Sequence, residues 1–328
     1  MARVLVVGTG QVGTRVARQL VDTPGIDEVL LAGRDPKVVE QLLVAFGGRC
    51  RSVGFTPGDD LPDDADAVVT ALPAGIDHAV VAAAIERGVP AASCTDEHDA
   101  IDQLRALAPN AERTGATVAV GCGLAPGLAD VLARHAAATF EVVDEIRIAR
   151  TGWAGPACVA TARHERRVLV HSWRGGGWHE DRPQGDALVW FPEPIGARDC
   201  RPVTGATSLL IDAFPGVDRL GVHLGEPPPR GRFRRRGLDP EWGACRVEVR
   251  GRRSGGFETI VYGVVERTGV AAGVVLGVVA AQLAGALGGR LERPGVHGLA
   301  ALVEPVPFLA ELATRGVRAA VFEGVSVG

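Results

Sequence analysis

Lysine, tyrosine and methionine are almost absent from this chain of 328 residues. Lys37 is its only lysine, Tyr262 its only tyrosine and Met1 its only methionine. A Schiff-base lysine would therefore have to be Lys37. A Tyr-x-x-x-Lys proton relay is excluded, because Glu266 stands four residues after Tyr262. These shortages nearly exclude two common ways of catalysing carbonyl or imine chemistry.

The cysteines and the net charge argue against several kinds of partner. The six cysteines lie far apart and include no C-x-x-C pair, so neither a zinc ribbon nor a disulfide scaffold is expected, and no metal site is predicted. The net charge is −4 and the pI about 6.1, which argues against a nucleic acid or an anionic membrane as the main partner. We expect a small-molecule partner instead.

One apolar stretch is long enough to cross a membrane. Residues 270–287 are interrupted only by Gln282, which satisfies the length rule for a spanning helix. The many Gly and Ala residues and the lack of an aromatic belt favour a helix buried inside a large α/β protein. The N-terminus has no signal-peptide pattern, so we expect a cytoplasmic protein without a membrane span.

The first part of the chain alternates between apolar strands and helical patterns. Strand, helix and strand repeated at this spacing predict a parallel, doubly wound sheet of the Rossmann type. The predicted strands cover residues 2–7, 28–32, 51–55, 67–71, 89–93 and 118–121.

A glycine fingerprint follows the first predicted strand and opens the first predicted helix, the context that supports dinucleotide binding. Gly8 permits the tight turn, Gly10 lets the backbone approach a pyrophosphate, and Gly13 lets the helix pack closely on the strand. The amides at this helix N-terminus, at Gln11 and Val12, would face the phosphates. The alternative is a glycine-rich turn without a ligand.

The end of the second predicted strand indicates which dinucleotide binds. Asp35 stands near the position of a carboxylate that would hold a ribose 2′-hydroxyl, and Arg34 comes just before it, after the small Gly33. A guanidinium at this place can pair with a 2′-phosphate and stack on the adenine. NADP is therefore favoured, and NAD remains possible. The alternative is that Arg34 is solvated and that Asp35 only caps the helix beginning at Pro36.

Residues 121–128, Gly-Cys-Gly-Leu-Ala-Pro-Gly-Leu, carry a more specific signal. With this loop the chain resembles the saccharopine dehydrogenase-like oxidoreductases, the group of saccharopine reductase, carboxynorspermidine dehydrogenase and lysine 6-dehydrogenase. The likeness covers most of the chain. It includes the fingerprint, Gly33-Arg34, Ala71-Leu72-Pro73, Gly88-Val89, Gly295-Val296-His297-Gly298, Pro307-Phe308-Leu309 and Arg315-Gly316-Val317.

The resemblance implies a Rossmann domain, residues 1–125, and a second, α+β domain on a mostly antiparallel sheet, residues 126–290. It also implies a C-terminal tail, residues 291–328, that packs back on the first domain, and a homodimer formed through the antiparallel sheet. The sequence agrees with this plan. Short strands are predicted at 145–149, 187–191 and 219–224, and a hairpin at 246–265 with Gly255-Gly256 at its turn.

Two departures from the family pattern limit what can be carried over. The Y-x-D pattern of many members is replaced by Ala91-Ala92-Ser93 and the residues that follow. Where saccharopine reductases carry a cysteine and glycines, this chain has Arg150-Thr151-Gly152-Trp153. Neither the substrate nor a catalytic cysteine is therefore assigned by the resemblance.

Strand ends and family loops supply the remaining binding residues. Ligands in a doubly wound sheet lie at the carboxyl ends of the strands. Cys94 and Cys122 would lie near the nicotinamide, although small packing residues are the alternative. Additional cofactor contacts are expected from Ala71, Leu72, Pro73 and Cys94, and substrate contacts from Cys122, Gly123, Trp153 and Arg163.

Two groups are candidates for the proton transfer. Asp96 follows the end of a predicted strand, with the alternative that it caps a helix beginning near Asp99. His164 lies in a basic cluster in which Arg163 and Arg167 would share a helix face and could hold a carboxylate. The alternative for this cluster is a solvated helix face.

The function predicted from these features is that of an NADP-dependent oxidoreductase acting on a C–N bond of an amino-acid-like or amine substrate. A non-catalytic NADP(H)-binding redox sensor or interaction module is the alternative, because the Y-x-D pattern is missing. Chemistry on a C–O bond is disfavoured by the shortage of Lys and Tyr. The five arginines of residues 230–236 are interpreted as a surface loop, with phosphate binding as the alternative.

Overall fold

The computed structural model describes residues 2–182, 185–226 and 242–322. The arginine run at 230–236 lies outside the described residues. The strands are β1 (Ala2–Val7), β2 (Ile26–Ala32), β3 (Cys50–Ser52), β4 (Ala67–Thr70), β5 (Ala91–Ser93), β6 (Thr117–Val120), β7 (Val142–Thr151), β8 (Val170–Arg174), β9 (Gly177–Asp181), β10 (Ala187–Trp190), β11 (Ala197–Val203), β12 (Arg219–Gly225), β13 (Trp242–Arg253), β14 (Gly256–Arg267), β15 (Gly295–Gly298) and β16 (Ala320–Phe322).

The helices are α1 (Gln11–Val21), α2 (Pro36–Phe46), α3 (Asp77–Glu86), α4 (His98–Arg105), α5 (Ala108–Thr114), α6 (Leu128–Ala137), α7 (Pro156–Glu165), α8 (Thr207–Ala213), α9 (Thr268–Leu283), α10 (Leu299–Leu302) and α11 (Pro305–Thr314), with a short 3₁₀ turn at Gly47–Arg49.

The first sheet is parallel throughout, in the order β15-β6-β5-β4-β1-β2-β3. The strand order reverses between β1 and β4, which is where a doubly wound sheet binds its ligand. The strands are apolar and buried because helices cover both faces. Helices α1, α2 and α9 pack on one face, and α3, α4 and α5 on the other.

The second sheet is mixed and mostly antiparallel. Its order is β10-β11-β12-β7-β13-β14-β16, with β8 and β9 joined to it through β12. Only the β12–β7 pair is parallel among its described pairs. Side chains of β7, β13 and α6 share one continuous apolar core with α1 and α9. The predicted fold class, a Rossmann domain with a second α+β domain, is confirmed.

The tail of the chain returns to both sheets. Strand β15 pairs in parallel with β6, and β16 pairs with β14 of the second sheet. The boundaries expected at residues 125 and 290 stay a prediction.

The long apolar stretch is the buried helix α9, as predicted. Almost all of its residues are buried, and among the described helices none combines the length and hydropathy that crossing a bilayer requires.

Three glycines of α9 face α1. A Cβ on Gly269 would lie 3.6 Å from Gln11, one on Gly273 only 2.4 Å from Arg15, and one on Gly277 2.8 Å from Gln19. The two helices therefore lie parallel and in close contact.

The structure corrects three local predictions. The helix that was expected to begin near Asp99 is α4, and a second helix, α5, follows it, because Pro109 fits the first turn of a new helix and not the interior of an old one. The β13–β14 hairpin turns at Ser254-Gly255, which both have positive φ, whereas Gly256 already pairs with Arg253. The shared helix face predicted for Arg163 and Arg167 is wrong, because α7 ends before Arg167.

Replacing Gly273 with Ala should destabilise the protein. The added methyl group would lie 2.4 Å from the Arg15 Cβ, and overpacking of this kind costs about 1–3 kcal/mol. That cost exceeds the gain of about 1 kcal/mol from better helix propensity. The measurement is chemical denaturation. Gly269→Ala, whose Cβ makes only ordinary contact at 3.6 Å, is the matched control. Equal stability of the two variants would show that α1 and α9 are not in contact at Gly273.

Candidate functional site

A cleft of about 900 Å³ opens at the carboxyl ends of the first sheet. Strands β1, β2, β4 and β5 contribute the residues that follow them. The end of β7 and the N-terminal parts of α7 and α9 form the opposite wall. The switch point of the Rossmann sheet therefore faces the second domain across a single cavity.

The fingerprint glycines behave as dinucleotide binding requires. Gly8 has a φ of +109°, and a Cβ on Gly13 would lie 1.8 Å from the Gly8 carbonyl oxygen. Only glycine allows this turn and this contact of α1 with β1. A Cβ on Gly10 would meet no atom of the protein within 4 Å. The space in front of Gly10 is open to the cleft, so the residues present fit a pyrophosphate at this helix N-terminus.

The end of β2 has two different polar side chains. Arg34 and Asp35 are both exposed and both line the cleft. The Asp35 carboxylate accepts a hydrogen bond of 3.0 Å from the Lys37 amide and caps α2, so the predicted capping alternative is observed. A Cβ on Gly33 would lie 2.4 Å from the Thr9 hydroxyl, which explains the glycine before Arg34.

The other predicted cofactor residues lie in the same wall, except Gly13, which is buried behind the turn. A Cβ on Gly8 would lie 2.4 Å from the Ala71 carbonyl oxygen, so the turn after β4 is in direct contact with the fingerprint. The predicted residues that line the cleft are Gly8, Gly10, Gln11, Val12, Gly33, Arg34, Asp35, Ala71, Leu72, Pro73 and Cys94.

Asp96 forms an ion pair with Arg150 inside the cleft. The Arg150 Nη2 donates to the Asp96 Oδ2 at 2.9 Å, and both side chains are largely buried, with 10% and 19% of their surfaces exposed. The thiol of Cys158, on α7, donates to the same carboxylate oxygen at 3.6 Å. The strand end after β5, the end of β7 and helix α7 thus place three polar groups together, and all three line the cavity.

Asp96 does not cap α4, so the capping alternative is wrong. The N-cap residue is Glu97, and its side chain makes no capping hydrogen bond. The His98 amide instead donates to the Oε1 of Glu165, on α7, at 2.9 Å, and the Oε2 accepts from the Gly205 amide at 3.1 Å. This buried carboxylate joins the segment that carries Asp96 to the second domain.

Burial keeps the thiols of the cleft protonated. Burial, together with the nearby Asp96, raises the pKa of Cys158 to about 11. Burial also raises the pKa of Cys94 well above its usual range. A thiolate nucleophile at neutral pH is therefore disfavoured, which agrees with leaving a catalytic cysteine unassigned.

The predicted substrate residues and His164 separate in space. Gly123 lines the cleft, whereas Cys122 is fully buried in the core behind it. Trp153 packs in a separate apolar cluster with Ala162, Val203 and Leu224. Arg163 and His164 lie near the C-terminal end of α7, outside the described cleft wall. His164 is exposed there, with its Nε2 3.7 Å from the Glu97 carboxylate.

The glycine- and proline-rich loop has a clear physical reason for its pattern. Gly127 has a φ of +116°, and a Cβ there would lie 2.4 Å from the Gly123 carbonyl oxygen. The Gly127 amide donates to the buried Asp130 carboxylate at 3.0 Å. Burial raises the pKa of Asp130 to about 7. Residues 123–126 of this turn line the cleft.

The comparison with protein families agrees with this geometry. Residues 4–119 match the family described as the saccharopine dehydrogenase NADP-binding domain. These residues are similar to that domain, and the match covers less than half of the chain. The resemblance drawn from the sequence is therefore confirmed, and the match supports a nicotinamide dinucleotide as the cofactor.

Solved structures share the fold over nearly the whole chain. Apo saccharopine dehydrogenase (L-Glu forming) from Saccharomyces cerevisiae is 15% identical, with a TM-score of 0.72 over 98% of this chain and 100% of that one. The amine dehydrogenase from Mycobacterium smegmatis is 15% identical, with a TM-score of 0.57 over 92% and 96%. GenD2 from gentamicin A biosynthesis, solved with NAD, is 18% identical, with a TM-score of 0.52 over 98% and 97%.

These similarities show a common fold. Together with the matched domain, they support an NAD(P)-dependent oxidoreductase of the saccharopine dehydrogenase-like type, as predicted.

Sequence reasoning missed Arg150 as a member of the site. The sequence did contain a sign of it. Arg150 continues the alternation of Ile146 and Ile148 along β7, and all three residues are buried on the same face of the strand. A buried arginine requires a partner, and the partner is Asp96.

Gly10→Ala should abolish dinucleotide binding without destabilising the protein. The added methyl group would meet no protein atom, yet it would fill the space that a pyrophosphate needs. The measurement is NADPH titration by fluorescence, with thermal unfolding of the apo protein as the control. An unchanged NADPH affinity would show that the glycine fingerprint does not contact the cofactor.

Proposed function

We propose that this protein is an NADP-dependent oxidoreductase that oxidises an amine or reduces an imine at a C–N bond of an amino-acid-like or amine substrate. The observation that carries the proposal is the Asp96–Arg150 pair, which lines the same cavity as the dinucleotide fingerprint. A group that can exchange a proton therefore lies within the cleft that would hold the cofactor.

The preference for NADP is supported by the end of β2. Asp35 is engaged in capping α2, whereas Arg34 presents an exposed guanidinium to the cleft. An arginine at this position suits a 2′-phosphate, because its planar fork binds the anion through two hydrogen bonds.

The cofactor, when bound, would supply or accept the hydride at the nicotinamide ring. Asp96 would take a proton from the substrate nitrogen in amine oxidation, or return one in imine reduction. Arg150 would act as a positioning residue, since its hydrogen bond fixes the Oδ2 and leaves the other carboxylate oxygen for the substrate. Of the two sequence candidates we propose Asp96, because His164 lies outside the cleft wall.

A C–N substrate fits the polar groups better than an alcohol does. Of the residues that line the cavity none is a lysine or a tyrosine in the described part of the chain, and these are the usual acids of alcohol and sugar dehydrogenases. A carboxylate is suited to an ammonium or iminium group because the charges are complementary. The names of the saccharopine and amine dehydrogenases with this fold also support a substrate with a C–N bond.

The proposed assembly is a cytoplasmic homodimer joined through the second sheet. Strands β10 and β14 expose large apolar side chains, with Leu188 61%, Trp190 59% and Phe257 66% accessible. Exposed apolar groups of this kind favour self-association. The three segments 1–125, 126–290 and 291–328 are proposed as its structural units.

Arg34→Ala should weaken NADPH binding far more than NADH binding. A hydrogen bond to a charged group contributes about 1.5–3 kcal/mol, or roughly 10- to 100-fold in affinity. Dissociation constants for both cofactors, measured on both proteins, give the comparison, and NADH is the internal control. Equal losses for the two cofactors would show that Arg34 does not contact a 2′-phosphate.

Asp96→Asn should lower kcat on an amine or imine substrate by about 10²–10⁴-fold, the usual effect of losing a positioned acid or base. NADPH affinity should change little, because the substitution keeps the shape of the side chain. Asp99→Asn, at an exposed position three residues along, is the matched control and should keep full activity.

The same assay separates the enzyme from the alternative. Tight NADPH binding by the wild type, without turnover on any member of an amine and imine panel, would favour the non-catalytic redox sensor. Full turnover of Asp96→Asn would place the chemistry elsewhere.

A further inference from the structure

The short segment that carries Asp96 is fixed by hydrogen bonds on both sides of that residue. Before it, the Thr95 amide donates to the Ser93 hydroxyl at 3.1 Å. After it, the His98 amide donates to the Oε1 of Glu165 at 2.9 Å. The first bond is formed within the strand end after β5, whereas the second comes from α7. The position of Asp96 therefore depends in part on a side chain that is distant in the sequence.

Glu165 is buried, with 4% of its surface exposed, and both of its carboxylate oxygens accept backbone hydrogen bonds. The second bond comes from the Gly205 amide, 3.1 Å from the Oε2. Gly205 lies in the turn before α8 and lines a small chamber next to the cleft, together with Asp96 and Arg150. One side chain thus joins α7 to the N-terminal end of α4 and to the turn before α8.

Other contacts already join α4 to α8. The Ser208 hydroxyl donates to the Asp102 carboxylate at 3.0 Å. The Arg105 guanidinium donates to both oxygens of Asp212, at 2.9 and 2.8 Å. These contacts lie further along α4, away from its N-terminal end. The hydrogen bond from Glu165 instead fixes that end, next to the group proposed for the proton transfer.

The Glu165 carboxylate also acts on the charge of the Asp96–Arg150 pair. Burial opposes the charge of the Arg150 guanidinium, yet nearby groups, Asp96 first and Glu165 among them, raise its pKa above the usual value. Burial raises the pKa of Glu165, and the two amides and Arg150 act in the opposite direction because they favour the carboxylate. Two carboxylates around one guanidinium leave a net negative charge, which suits an ammonium or iminium group.

We propose that Glu165 is a positioning residue for the proton transfer, which fixes the segment carrying Asp96 by accepting the His98 amide. The inference rests on the proposed function, since Glu165 acts through Asp96. Without this bond the Asp96 carboxylate would move relative to the substrate nitrogen, and a displacement of about 1 Å can lower a rate about 100-fold. Binding of substrate and cofactor would change little, because Glu165 does not line the cleft.

The test measures kcat, KM and NADPH affinity with an amine that the wild type oxidises. Glu165→Gln keeps the size of the side chain but turns an NH2 group towards one of the two amide donors. It should lower kcat about tenfold or more, with KM and the NADPH dissociation constant unchanged within about twofold. His98→Pro removes the donor and leaves Glu165 in place, and it should lower kcat in the same way. Proline fits this position, the first of α4.

A control and a double-mutant cycle separate positioning from a merely structural role. Asp212→Asn weakens the contact of α4 with α8 away from Asp96, and it should keep full kcat. In the Asp96→Asn background, Glu165→Gln should change kcat by less than about twofold, because the group that it positions is gone. Thermal unfolding shows whether each variant is folded.

The contrary results are distinct. Full kcat in both Glu165→Gln and His98→Pro would overturn the proposal. An equal loss of kcat with and without Asp96, or a parallel loss in Asp212→Asn, would show that Glu165 only joins the helices, and would overturn it too. A wild type without turnover on the amine and imine panel would refute the proposed function itself, and the positioning role with it.

Discussion

The close packing of α1 against its neighbours is the constraint on which the site depends. The helix touches the turn after β1 at Gly8 and Gly13, and it touches α9 at Gly273. At both contacts the glycine leaves no room for a Cβ atom. The position of α1 is therefore set by close packing and not by weak attraction. The N-terminus of α1 is thereby held at the carboxyl end of the sheet, beside the N-terminus of α9.

This arrangement would let the cavity bind the phosphates of a dinucleotide in a chain with a single lysine. Helix dipoles and backbone amides supply fixed positive ends that cannot lose a proton. The charge of Arg150 in the cleft is neutralised by Asp96. An anion placed there meets oriented dipoles in a partly dry environment, where they act more strongly than in water.

The sequence predicted the features that depend on local pattern. The fingerprint, the alternation of strands and helices and the buried nature of α9 all follow from residues close together in the chain. The contacts of Asp96 with Arg150 and of Thr268 with Gly152 and Gly243 join distant segments, and no periodicity reports them. His164 shows the same limit, since a basic cluster on a helix does not reveal which end of the helix meets the cleft.

A crystal structure of the NADPH complex tests the central claim most directly. We expect the pyrophosphate on the amides at Gln11 and Val12, the 2′-phosphate within hydrogen-bond distance of Arg34, and C4 of the nicotinamide towards Asp96. A nicotinamide ring turned away from the Asp96–Arg150 pair, or a dinucleotide bound outside this cleft, would contradict it.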